Sequence, residues 1–538
     1  MRDMVHRMPR SQEPAGARIL SALKRAATRQ IAQPDSGRQT GQADLERSVR
    51  DYVGNVQIVI ASKSEPYQHV HRGGGIEVIR SPGGLASALD SVARATGATW
   101  VAQAQGDADR EVADAQGRVP MPPGEKRYTL QRVWPEPEEI AEGFNRFANG
   151  CLWPLCHVVY VRPHFVAEDY RAYVETNERF ADAILEAVGP RPALVLLQDY
   201  HLALAASRLR VRRPDLTIVL FWHIPWPNSE VFRILPWKHE FLQGLLACDL
   251  LGFHIAQHAM NFLDTVANEM EAHIDRERQA VRRRGHRTFV RHYPISPDSA
   301  EISVAAADPW TRREVTRIRE TLELGNRRVI LGVDRVDYTK GIPERLDAFA
   351  LYLEKHPEDH DHVAMLLIGV PSRVNLPEYQ ALGAAVDLRI AAINARFGVP
   401  GRIPVRLITA NLDFRELIPY YVLADVLAVT SLHDGMNLVA KEYVAAKPDL
   451  DGVLVLSPFT GASRELDHAL QVSPFDTVRL AAAFHRALHL PAEERATRMR
   501  ALREVVASHN IYDWTRKLLR DVHRLHLLPD RRPGGARL

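Results

Sequence analysis

The chain has 538 residues, which is more than one hydrophobic core usually serves, so we expect two domains. Hydrophobic residues make up 46% of the sequence and charged residues 25%, and a formal net charge of +3 gives no support for nucleic acid or a membrane surface as the main partner. Three cysteines are too few for a disulfide framework or a cysteine zinc site, and no apolar run approaches the roughly 18 residues of a membrane span. A reducing cytoplasm is therefore the predicted compartment.

The two ends of the chain lack the apolar periodicity of folded elements. Residues 1–52 mix Arg, Gln, Ser and Asp, and no apolar stretch follows the early arginines, so we predict a flexible basic extension rather than a secretory signal. Residues 528–538 are rich in Pro, Gly and Arg and are predicted to be a disordered tail.

Between these ends, short apolar runs alternate with longer amphipathic segments. The runs are rich in Val, Ile and Leu and are predicted to be buried strands at 56–61, 194–197, 217–222, 328–333, 363–370, 405–409, 426–430 and 453–457. The intervening stretches, such as 170–188 and 374–397, carry helical spacing. Strands that alternate with helices indicate parallel sheets with helices on both faces, and the basic segment 276–293 is a candidate hairpin that would close the first domain.

Polar side chains recur just past the carboxyl ends of the predicted strands. Asp199 and His223 follow strands in the N-terminal half, whereas Arg335, Arg373 and Asp434 follow strands in the C-terminal half. Doubly wound sheets bind their ligands at the carboxyl ends of the strands. We therefore predict an α/β protein with two Rossmann-like, doubly wound parallel-sheet domains that face a central cleft.

The domain boundary is predicted from prolines that interrupt the regular patterns. Pro294, Pro297 and Pro309 mark a linker, which assigns 53–300 to an N-terminal Rossmann-like domain and 301–510 to a C-terminal one. Residues 511–527 are predicted to form a helix that packs back on the first domain.

The most informative motif lies at 431–443, directly after a predicted strand. A strand, a sharp Asp-Gly turn and a helical stretch with free first-turn N–H groups can bind a pyrophosphate. Asp434 can bind sugar hydroxyls, and Glu442 farther along the helix can reach a ribose. About a hundred residues upstream, Arg335 and Lys340 lie on one loop and are suited to neutralising a departing diphosphate. Each motif alone is common on protein surfaces, but their combination indicates a site for a sugar nucleotide.

Four segments together resemble glycosyltransferase family 20, the trehalose-6-phosphate synthase family. They are DYHL at 199–202, HIPWP at 223–227, RVDYTKG at 335–341 and DGMNLVAKEY at 434–443. The resemblance covers about residues 53–525 and implies a GT-B fold, with an acceptor domain first and a nucleotide-sugar domain second. It implies a retaining, metal-independent enzyme without a cofactor, which transfers glucose from UDP-glucose to glucose 6-phosphate and releases trehalose 6-phosphate and UDP. Small-molecule substrates are the implied partners, with no nucleic acid or membrane, and a homo-oligomer is expected.

The resemblance also implies roles for individual residues. The catalytic positions correspond to His223, Arg335, Lys340 and Asp199. The donor-binding positions correspond to Gly83, Gly84, Leu412, Asp434, Gly435, Met436, Asn437, Leu438, Val439 and Glu442. In the family the reaction proceeds on one face of the sugar, and the leaving phosphate helps to deprotonate the acceptor. The protein then contributes positioning and charge stabilisation rather than a covalent intermediate.

The acceptor side departs from the family pattern. The positions that correspond to acceptor contacts are Asp199, Trp153, Arg373, Phe144 and Lys63. Ser64 stands where the family usually has an Arg that grips the acceptor phosphate, Gln103 stands where a Trp lines the pocket, and Phe144 replaces a Tyr. Lys63 offers a cation one position earlier, but as a point charge rather than a bidentate fork.

Two alternative functions stay open at this point. A related transferase with a different acceptor, such as glucosylglycerol-phosphate synthase or a pseudo-glycosyltransferase, would account for the altered Ser64, Gln103 and Phe144. A nucleotide-sugar-binding regulatory subunit with little turnover would account for the fold, although the intact His223 and Arg335 argue against it. The base of the nucleotide also stays open, because the family contacts it largely through the backbone.

Overall fold

Eighteen strands of the described residues form two large sheets and one separate hairpin. The computed structural model describes residues 34–81, 84–410 and 412–528. One large sheet belongs to the N-terminal half of the chain and the other to the C-terminal half, with helices between successive strands. This arrangement confirms the predicted α/β class.

The first sheet has ten strands and is parallel at its centre. The strands of this half are β1 (Gln57–Ser64), β2 (Tyr67–Arg72), β3 (Gly75–Arg80), β4 (Thr99–Gln103), β5 (Arg118–Met121), β6 (Tyr128–Val133), β7 (Ala193–Gln198), β8 (Thr217–Phe221), β9 (Leu250–Phe253), β10 (His273–Asp275), β11 (Ala280–Arg283) and β12 (His286–His292). Their order in the sheet is β10-β11-β12-β9-β8-β7-β1-β4-β6-β5, and β2 pairs only with β3. Antiparallel pairs occur at both edges, where the basic segment 276–293 supplies the β11–β12 hairpin.

The second sheet has six strands and is parallel throughout. Its order is β15-β14-β13-β16-β17-β18. The strands are β13 (Arg328–Arg335), β14 (Val363–Val370), β15 (Val405–Ile408), β16 (Val426–Val429), β17 (Val453–Leu456) and β18 (Leu470–Gln471). β16 and β17 are buried along their whole length, as are β7 and β8 of the first sheet, which explains why these strands are continuous apolar runs.

Helices cover both faces of the two sheets. Those of the first half are α1 (Pro34–Ser48), α2 (Gly84–Thr96), α3 (Asp109–Val112), α4 (Glu138–Arg146), α5 (Trp153–His157), α6 (Ala167–Val188), α7 (Ala205–Arg212), α8 (Ser229–Phe232), α9 (Lys238–Leu245) and α10 (Ala256–Glu269). Those of the second half are α11 (Ser299–Ala307), α12 (Pro309–Thr321), α13 (Ile342–Lys355), α14 (Pro377–Phe397), α15 (Phe414–Leu423), α16 (Leu438–Ala445), α17 (Thr477–His489), α18 (Ala492–Ser508) and α19 (Ile511–Arg524). Among the described helices, none has the length and apolar character needed to cross a bilayer.

Each large sheet contains a point where the winding of the chain reverses. In the first sheet the chain runs outward from β1 to β4 and β6 and then returns on the other side of β1 as β7, β8 and β9. In the second sheet it runs from β13 to β14 and β15 and returns beside β13 as β16 and β17. Ligands of doubly wound sheets bind at such switch points. A ligand site is therefore expected at the carboxyl ends of β1, β7, β13 and β16.

The last helix, α19, lies against the first domain rather than the second. The Tyr293 hydroxyl donates to Asp521 Oδ2 at 2.8 Å, and the Thr217 hydroxyl donates to the Leu527 carbonyl at 2.7 Å. The Trp514 ring lies edge-on to Phe221, with the ring centroids 5.0 Å apart. These contacts connect the two domains by a second route besides the linker after β12.

The predicted flexible extension at 1–52 differs from the structure over its last part. Residues from 34 onward form α1 and a π-helical turn, Val49–Val53. Leu45 and Val53 are fully buried, and the Tyr52 ring lies 5.4 Å from the ring of His523 on α19. Leu45, Val49 and Val53 are spaced four apart, but the surface that buries them is α19, far away in sequence. Residues 1–33 and 529–538 lie outside the described residues.

Candidate active site

The two switch points meet where the Asp-Gly turn after β16 touches the end of β8. A Cβ atom at Gly435 would lie 2.2 Å from the carbonyl oxygen of His223. A Cβ atom at Gly461 would in turn lie 2.1 Å from the carbonyl oxygen of Gly435. Both positions therefore require glycine, because only a residue without a side chain allows the backbones to approach this closely. The glycines bring the turn of the second domain directly against His223 of the first.

Asp434, in this turn, forms a buried ion pair with Lys340. The Lys340 ammonium lies 2.6 Å from Asp434 Oδ2, and Asn437 Nδ2 donates to the same oxygen at 3.2 Å. Burial alone would raise the pKa of Asp434, but the Lys340 ammonium outweighs burial and holds this pKa below its ordinary value. The pair joins the loop after β13 to the loop after β16, and the Asp434 carboxyl is ionised at neutral pH.

The helix that follows the turn begins with an unusual cap. Asn437 has a left-handed backbone, with φ of +83°, and its side-chain oxygen accepts from the Ala440 N–H at 3.0 Å. The N–H groups of Leu438 and Val439 lie in the first turn of α16, where no intrahelical acceptor is available. Met436 is buried, and its carbonyl accepts from the Ala462 N–H at 2.8 Å. The first turn of α16 thus has N–H groups without intrahelical acceptors, as an anion site needs.

Glu442 lies on the second turn of α16 and is held by a tyrosine. The Tyr421 hydroxyl donates to Glu442 Oε2 at 2.8 Å. Burial raises the pKa of Glu442, partly offset by this hydrogen bond. The fixed carboxylate keeps one oxygen for a ligand hydroxyl.

The predicted base-binding segment lies near the end of β3 of the first domain. Leu412 is half-buried and lies two residues before α15, whose N-cap is Asp413. Arg80 ends β3, and its guanidinium lies 5.6 Å from the centroid of the Phe414 ring. Gly84 is the first residue of α2, whereas Gly83 lies outside the described residues. The Arg80–Phe414 contact therefore connects the end of β3 with the start of α15 across the cleft.

Arg335 and Lys340 flank a short 3₁₀ turn after β13. Arg335 is the last residue of β13, is exposed, and has its guanidinium 5.2 Å from the centroid of the Trp153 ring. Within the described part of the chain Arg335 forms no salt bridge, unlike Lys340. One cation is therefore held in place by a carboxylate, and the other faces the cleft unpaired.

Asp337, between these two cations, is the centre of an interdomain hydrogen-bond network. It is fully buried and accepts from Arg373 at 2.9 Å, from the Tyr379 hydroxyl at 3.1 Å and from Trp153 Nε1 at 3.3 Å. Although burial raises the pKa of Asp337, the Arg373 guanidinium and other nearby cations lower it to about 2. Arg373 has φ of +52°, and its guanidinium lies 4.0 Å from the centroid of the Trp153 ring. This network fixes Trp153 of the first domain against Arg373 of the second.

Asp199 follows β7 in a strained conformation. Its φ is +73°, and its Oδ1 accepts from the N–H of Tyr200 at 2.9 Å and from the N–H of His223 at 3.1 Å. Burial raises the pKa of Asp199 to about 6, even though both N–H groups favour the charged form. Oδ1 is thus engaged in positioning, while Oδ2 remains available to a ligand.

His223 is a neutral imidazole at physiological pH. Burial, and to a smaller extent the nearby His201, lower its pKa to about 3. His223 Nε2 lies 2.9 Å from Gln198 Oε1, which holds the ring in one orientation. The side chain can therefore exchange hydrogen bonds with a sugar hydroxyl but does not supply a positive charge.

A β-bulge shapes the predicted acceptor pocket at the end of β1. Ser62 pairs with Ala102 of β4, but Ser64 pairs with Gln103, so Lys63 is the extra residue of the bulge. The Lys63 ammonium lies 6.0 Å from the centroid of the Phe144 ring. Burial lowers the pKa of Lys63, and the charge of Arg373 lowers it further. The bulge explains how Lys63 points into the cleft.

Two of the altered acceptor positions are neighbours, and the third lies in the core. Ser64 is exposed and Gln103 half-buried, and they face each other across adjacent strands. Phe144 is buried and stacks on Tyr173, with the ring centroids 5.6 Å apart and the planes within 9°. Ser64 and Gln103 therefore make this side of the pocket smaller and less cationic than the Arg and Trp of the family pattern would.

The structure adds residues that the sequence pattern does not single out. Asp337 and Tyr379 complete the network around Arg373, and Gln198 orients His223. Tyr200 lies 3.4 Å from Arg373 through its hydroxyl. Asp337 has one signal in the sequence, its place between Arg335 and Lys340. Tyr379, Gln198 and Tyr200 are identified only by their contacts with residues that the sequence pattern does not connect to them.

The comparisons with known proteins agree with this geometry. The family model described as glycosyltransferase family 20 matches residues 55–524. A trehalose-6-phosphate synthase of Mycolicibacterium vanbaalenii is 39% identical over 475 residues, which cover 87% of this chain and 96% of the relative.

Two solved structures share the two-domain architecture. One is an alpha,alpha-trehalose-phosphate synthase (UDP-forming) from Burkholderia xenovorans in complex with glucose-6-phosphate, with a TM-score of 0.77 and 30% identity over 87% of this chain and 99% of that one. The other, from E. coli and described as trehalose-6-phosphate bound with UDP-2-fluoro glucose, has a TM-score of 0.76 and 30% identity at the same coverage. The predicted pairing of two Rossmann-like domains in a GT-B arrangement is confirmed.

Proposed function

The chain belongs to glycosyltransferase family 20, and we propose that it transfers glucose from UDP-glucose to glucose 6-phosphate, which yields trehalose 6-phosphate and UDP. The observation that carries the proposal is the buried Lys340–Asp434 pair, placed beside Arg335 where the two switch points meet. This arrangement provides cations for a diphosphate and a carboxylate for sugar hydroxyls at one point of the cleft. The 3₁₀ turn and the Asp-Gly turn hold both groups rigidly.

The donor is proposed to lie along the second domain. Its β-phosphate would contact Arg335, Lys340 and the first-turn N–H groups of α16, because all three offer positive charge or partial positive charge. Asp434 would accept from glucosyl hydroxyls, and Glu442 would accept from the ribose. Leu412 would contact the base through its backbone, and Gly84 would lie near the donor phosphates.

The reaction exchanges one bond at the anomeric carbon for another on the same face. The bond between glucosyl C1 and the β-phosphate oxygen breaks while the acceptor hydroxyl oxygen bonds to C1, so the configuration is retained. The acceptor proton passes to the departing phosphate oxygen. Arg335 and Lys340 stabilise the charge that grows on the leaving diphosphate. His223, which is neutral, would hydrogen-bond the glucosyl unit without competing for the phosphate.

We expect turnover to need no metal ion, because two side-chain cations already serve the diphosphate. Activity that persists in a chelator would support this, and a strict requirement for Mg²⁺ or Mn²⁺ would contradict it. The three cysteines are buried and free, which fits a reducing compartment, and we propose a cytoplasmic enzyme.

The acceptor is proposed to lie against the first domain. Asp199 would orient its hydroxyls through Oδ2, and Arg373 and Lys63 would bind its phosphate. Trp153 would cover one face of the sugar, because Arg373 already fixes its ring.

The test is nucleotide release from UDP-glucose with glucose 6-phosphate, with glycerol 3-phosphate or with no acceptor, followed by product mass. Release that depends on glucose 6-phosphate, with a disaccharide phosphate as the product, is expected. The neighbouring Ser64 and Gln103 favour a second candidate, a transferase with a smaller phosphorylated acceptor. Turnover with glycerol 3-phosphate alone would establish that candidate, and no turnover with any acceptor would leave a regulatory subunit.

A further inference from the structure

Three histidines and one aspartate converge on the outer side of the second domain, away from the cleft. His356 and Asp359 belong to the turn after α13, and His485 and His489 lie one turn apart on α17. Ligand atoms of His356, Asp359 and His485 all lie within 4.8 Å of one another. His489 Nε2 lies 3.6 Å from Asp359 Oδ1. Two histidines four apart on a helix face the same side, which is a common way to hold a transition metal.

The second ring nitrogen of two of these histidines already has the partner that a metal ligand needs. His356 Nδ1 lies 3.1 Å from Glu358 Oε1, and His489 Nδ1 lies 2.9 Å from the carbonyl oxygen of His485. Because a carbonyl or carboxylate only accepts, each Nδ1 carries the proton and each Nε2 keeps its lone pair. Metal-binding histidines are oriented in this way by carboxylates and carbonyls.

The remaining two groups are also prepared for a cation. His485 Nδ1 is buried without a hydrogen-bond partner among the described residues, and it lies 3.7 Å from Asp359 Oδ2. The buried Tyr352 hydroxyl donates to the same Asp359 oxygen at 2.6 Å. A ligand carboxylate is usually held in place by such a second hydrogen bond. An unpartnered imidazole nitrogen and an anchored carboxylate thus face each other.

The ligand atoms are close enough for a tetrahedral ion once the stacked rings of His356 and His485, whose centroids lie 3.8 Å apart, turn toward it. Ligands at about 2.0–2.1 Å from a tetrahedral zinc ion lie roughly 3.4 Å from one another. Asp359 Oδ2 lies 3.7 Å from His485 Nδ1, and the other carboxylate oxygen, Oδ1, lies 3.6 Å from His489 Nε2. Three imidazoles with one carboxylate form a nitrogen-rich set that prefers zinc and its neighbours over calcium or magnesium.

We infer that His356, Asp359 and His485 form a binding site for a divalent transition metal of the zinc type, with His489, beside the other oxygen of Asp359, as a further ligand. The ion would join the turn after α13 to the end of α17. Since α13 has 14 residues and rises about 1.5 Å per residue, this site lies roughly 20 Å from Lys340 at the other end of the helix. The metal would therefore stabilise the domain and would not take part in glucosyl transfer.

The test is zinc binding to the untagged, chelator-treated full chain, measured by competition with a chromogenic chelator and by native mass spectrometry. One Zn²⁺ per chain is expected, with a higher Tm in its presence. His485→Ala should weaken zinc binding at least about tenfold, since even outer partners of a metal site contribute 10–100-fold. Tyr352→Phe should weaken it by a smaller factor and keep the stoichiometry.

A matched control is His239→Ala, which removes an exposed histidine of α9 in the other domain. This variant should bind zinc like the parent. Substitution with Co²⁺ gives an independent readout, because a tetrahedral site has far stronger visible absorption than an octahedral one. The inference is overturned if the parent binds no stoichiometric Zn²⁺, or if His485→Ala binds it as tightly as the parent. Glucosyl transfer should be equal with and without Zn²⁺. A failure to bind zinc can therefore be distinguished from a failure of the proposed transferase activity.

Discussion

Replacing Lys340 by Met tests whether the buried pair with Asp434 serves catalysis or only folding. The substitution keeps an unbranched chain but removes the ammonium that lies 2.6 Å from Asp434 Oδ2. The side chains of the pair are only 11% and 14% exposed, so the carboxylate that remains is largely shielded from water. Asn437 Nδ2 at 3.2 Å and the Ser431 hydroxyl at 3.4 Å are then its nearest donors.

Two effects of different size follow from this geometry. Removing one partner of a buried ion pair costs about 3–5 kcal/mol, so the free energy of unfolding of Lys340→Met should fall by an amount in that range. Losing one positioned donor at a developing negative charge costs about 100- to 1,000-fold in kcat. Urea unfolding measures the first effect, and UDP release at saturating substrates measures the second.

The double variant Lys340→Met with Asp434→Asn separates the two effects. The neutral amide leaves no buried charge, so most of the stability should return, whereas kcat should stay low because both the cation and the carboxylate proposed to bind the glucosyl hydroxyls are missing. Lys126→Met, at an exposed lysine of the first domain, should change neither quantity. A double variant that regains both stability and kcat would refute the reasoning, because Lys340 would then act only as the counter-ion of Asp434.

Four further predictions concern single residues of the cleft. Arg335→Ala should lower kcat about 100-fold or more in the UDP-release assay. The Tm should stay unchanged, because Arg335 is exposed and forms no salt bridge within the described residues. An unchanged kcat would remove Arg335 from the leaving-group role. Ser64→Arg should lower the KM for glucose 6-phosphate about tenfold, since a charged hydrogen bond contributes about 1.5–3 kcal/mol. The control Ser64→Leu should not lower this KM. Because burial raises the pKa of Asp199 to about 6, kcat/KM for the acceptor should fall as the pH drops through 6, and this limb should be missing from the profile of Asp199→Asn. Gly435→Ala should abolish turnover, because its Cβ would lie 2.2 Å from the His223 carbonyl oxygen; retained activity would mean that the domains do not need this contact.

The buried parallel strands could be predicted because each of them is a continuous apolar run in the sequence. The run predicted at 363–370 coincides with β14, and that at 405–409 with β15 to within one residue. Both faces of these strands are covered, so continuous apolar residues mark them wherever they occur. β5 and the β2–β3 hairpin carry no such signal, since their buried and exposed residues alternate or are mostly exposed.

The site could be predicted only where its residues are close in sequence. Asp434, Asn437 and Glu442 belong to one strand–turn–helix unit, so the spacing alone brings them together. Asp337 binds Trp153 and Arg373, which are 184 and 36 residues away, and no local pattern encodes those contacts. The helix within the predicted extension could not be predicted for the same reason, because its apolar side is covered by α19, which is far away in sequence.

Two of the three altered acceptor residues form one continuous surface, whereas Phe144 lies in the core. Ser64 and Gln103 pair across β1 and β4, and the bulge that creates this pairing is the one that turns Lys63 toward the cleft. A guanidinium at position 64 would add a second cation beside Lys63, whose pKa is already lowered by burial and by Arg373. Repulsion from Lys63 would therefore offset part of the gain in acceptor binding that is expected of Ser64→Arg. It follows that the pair Ser64→Arg with Lys63→Ala should bind a phosphorylated acceptor more tightly than either single change alone.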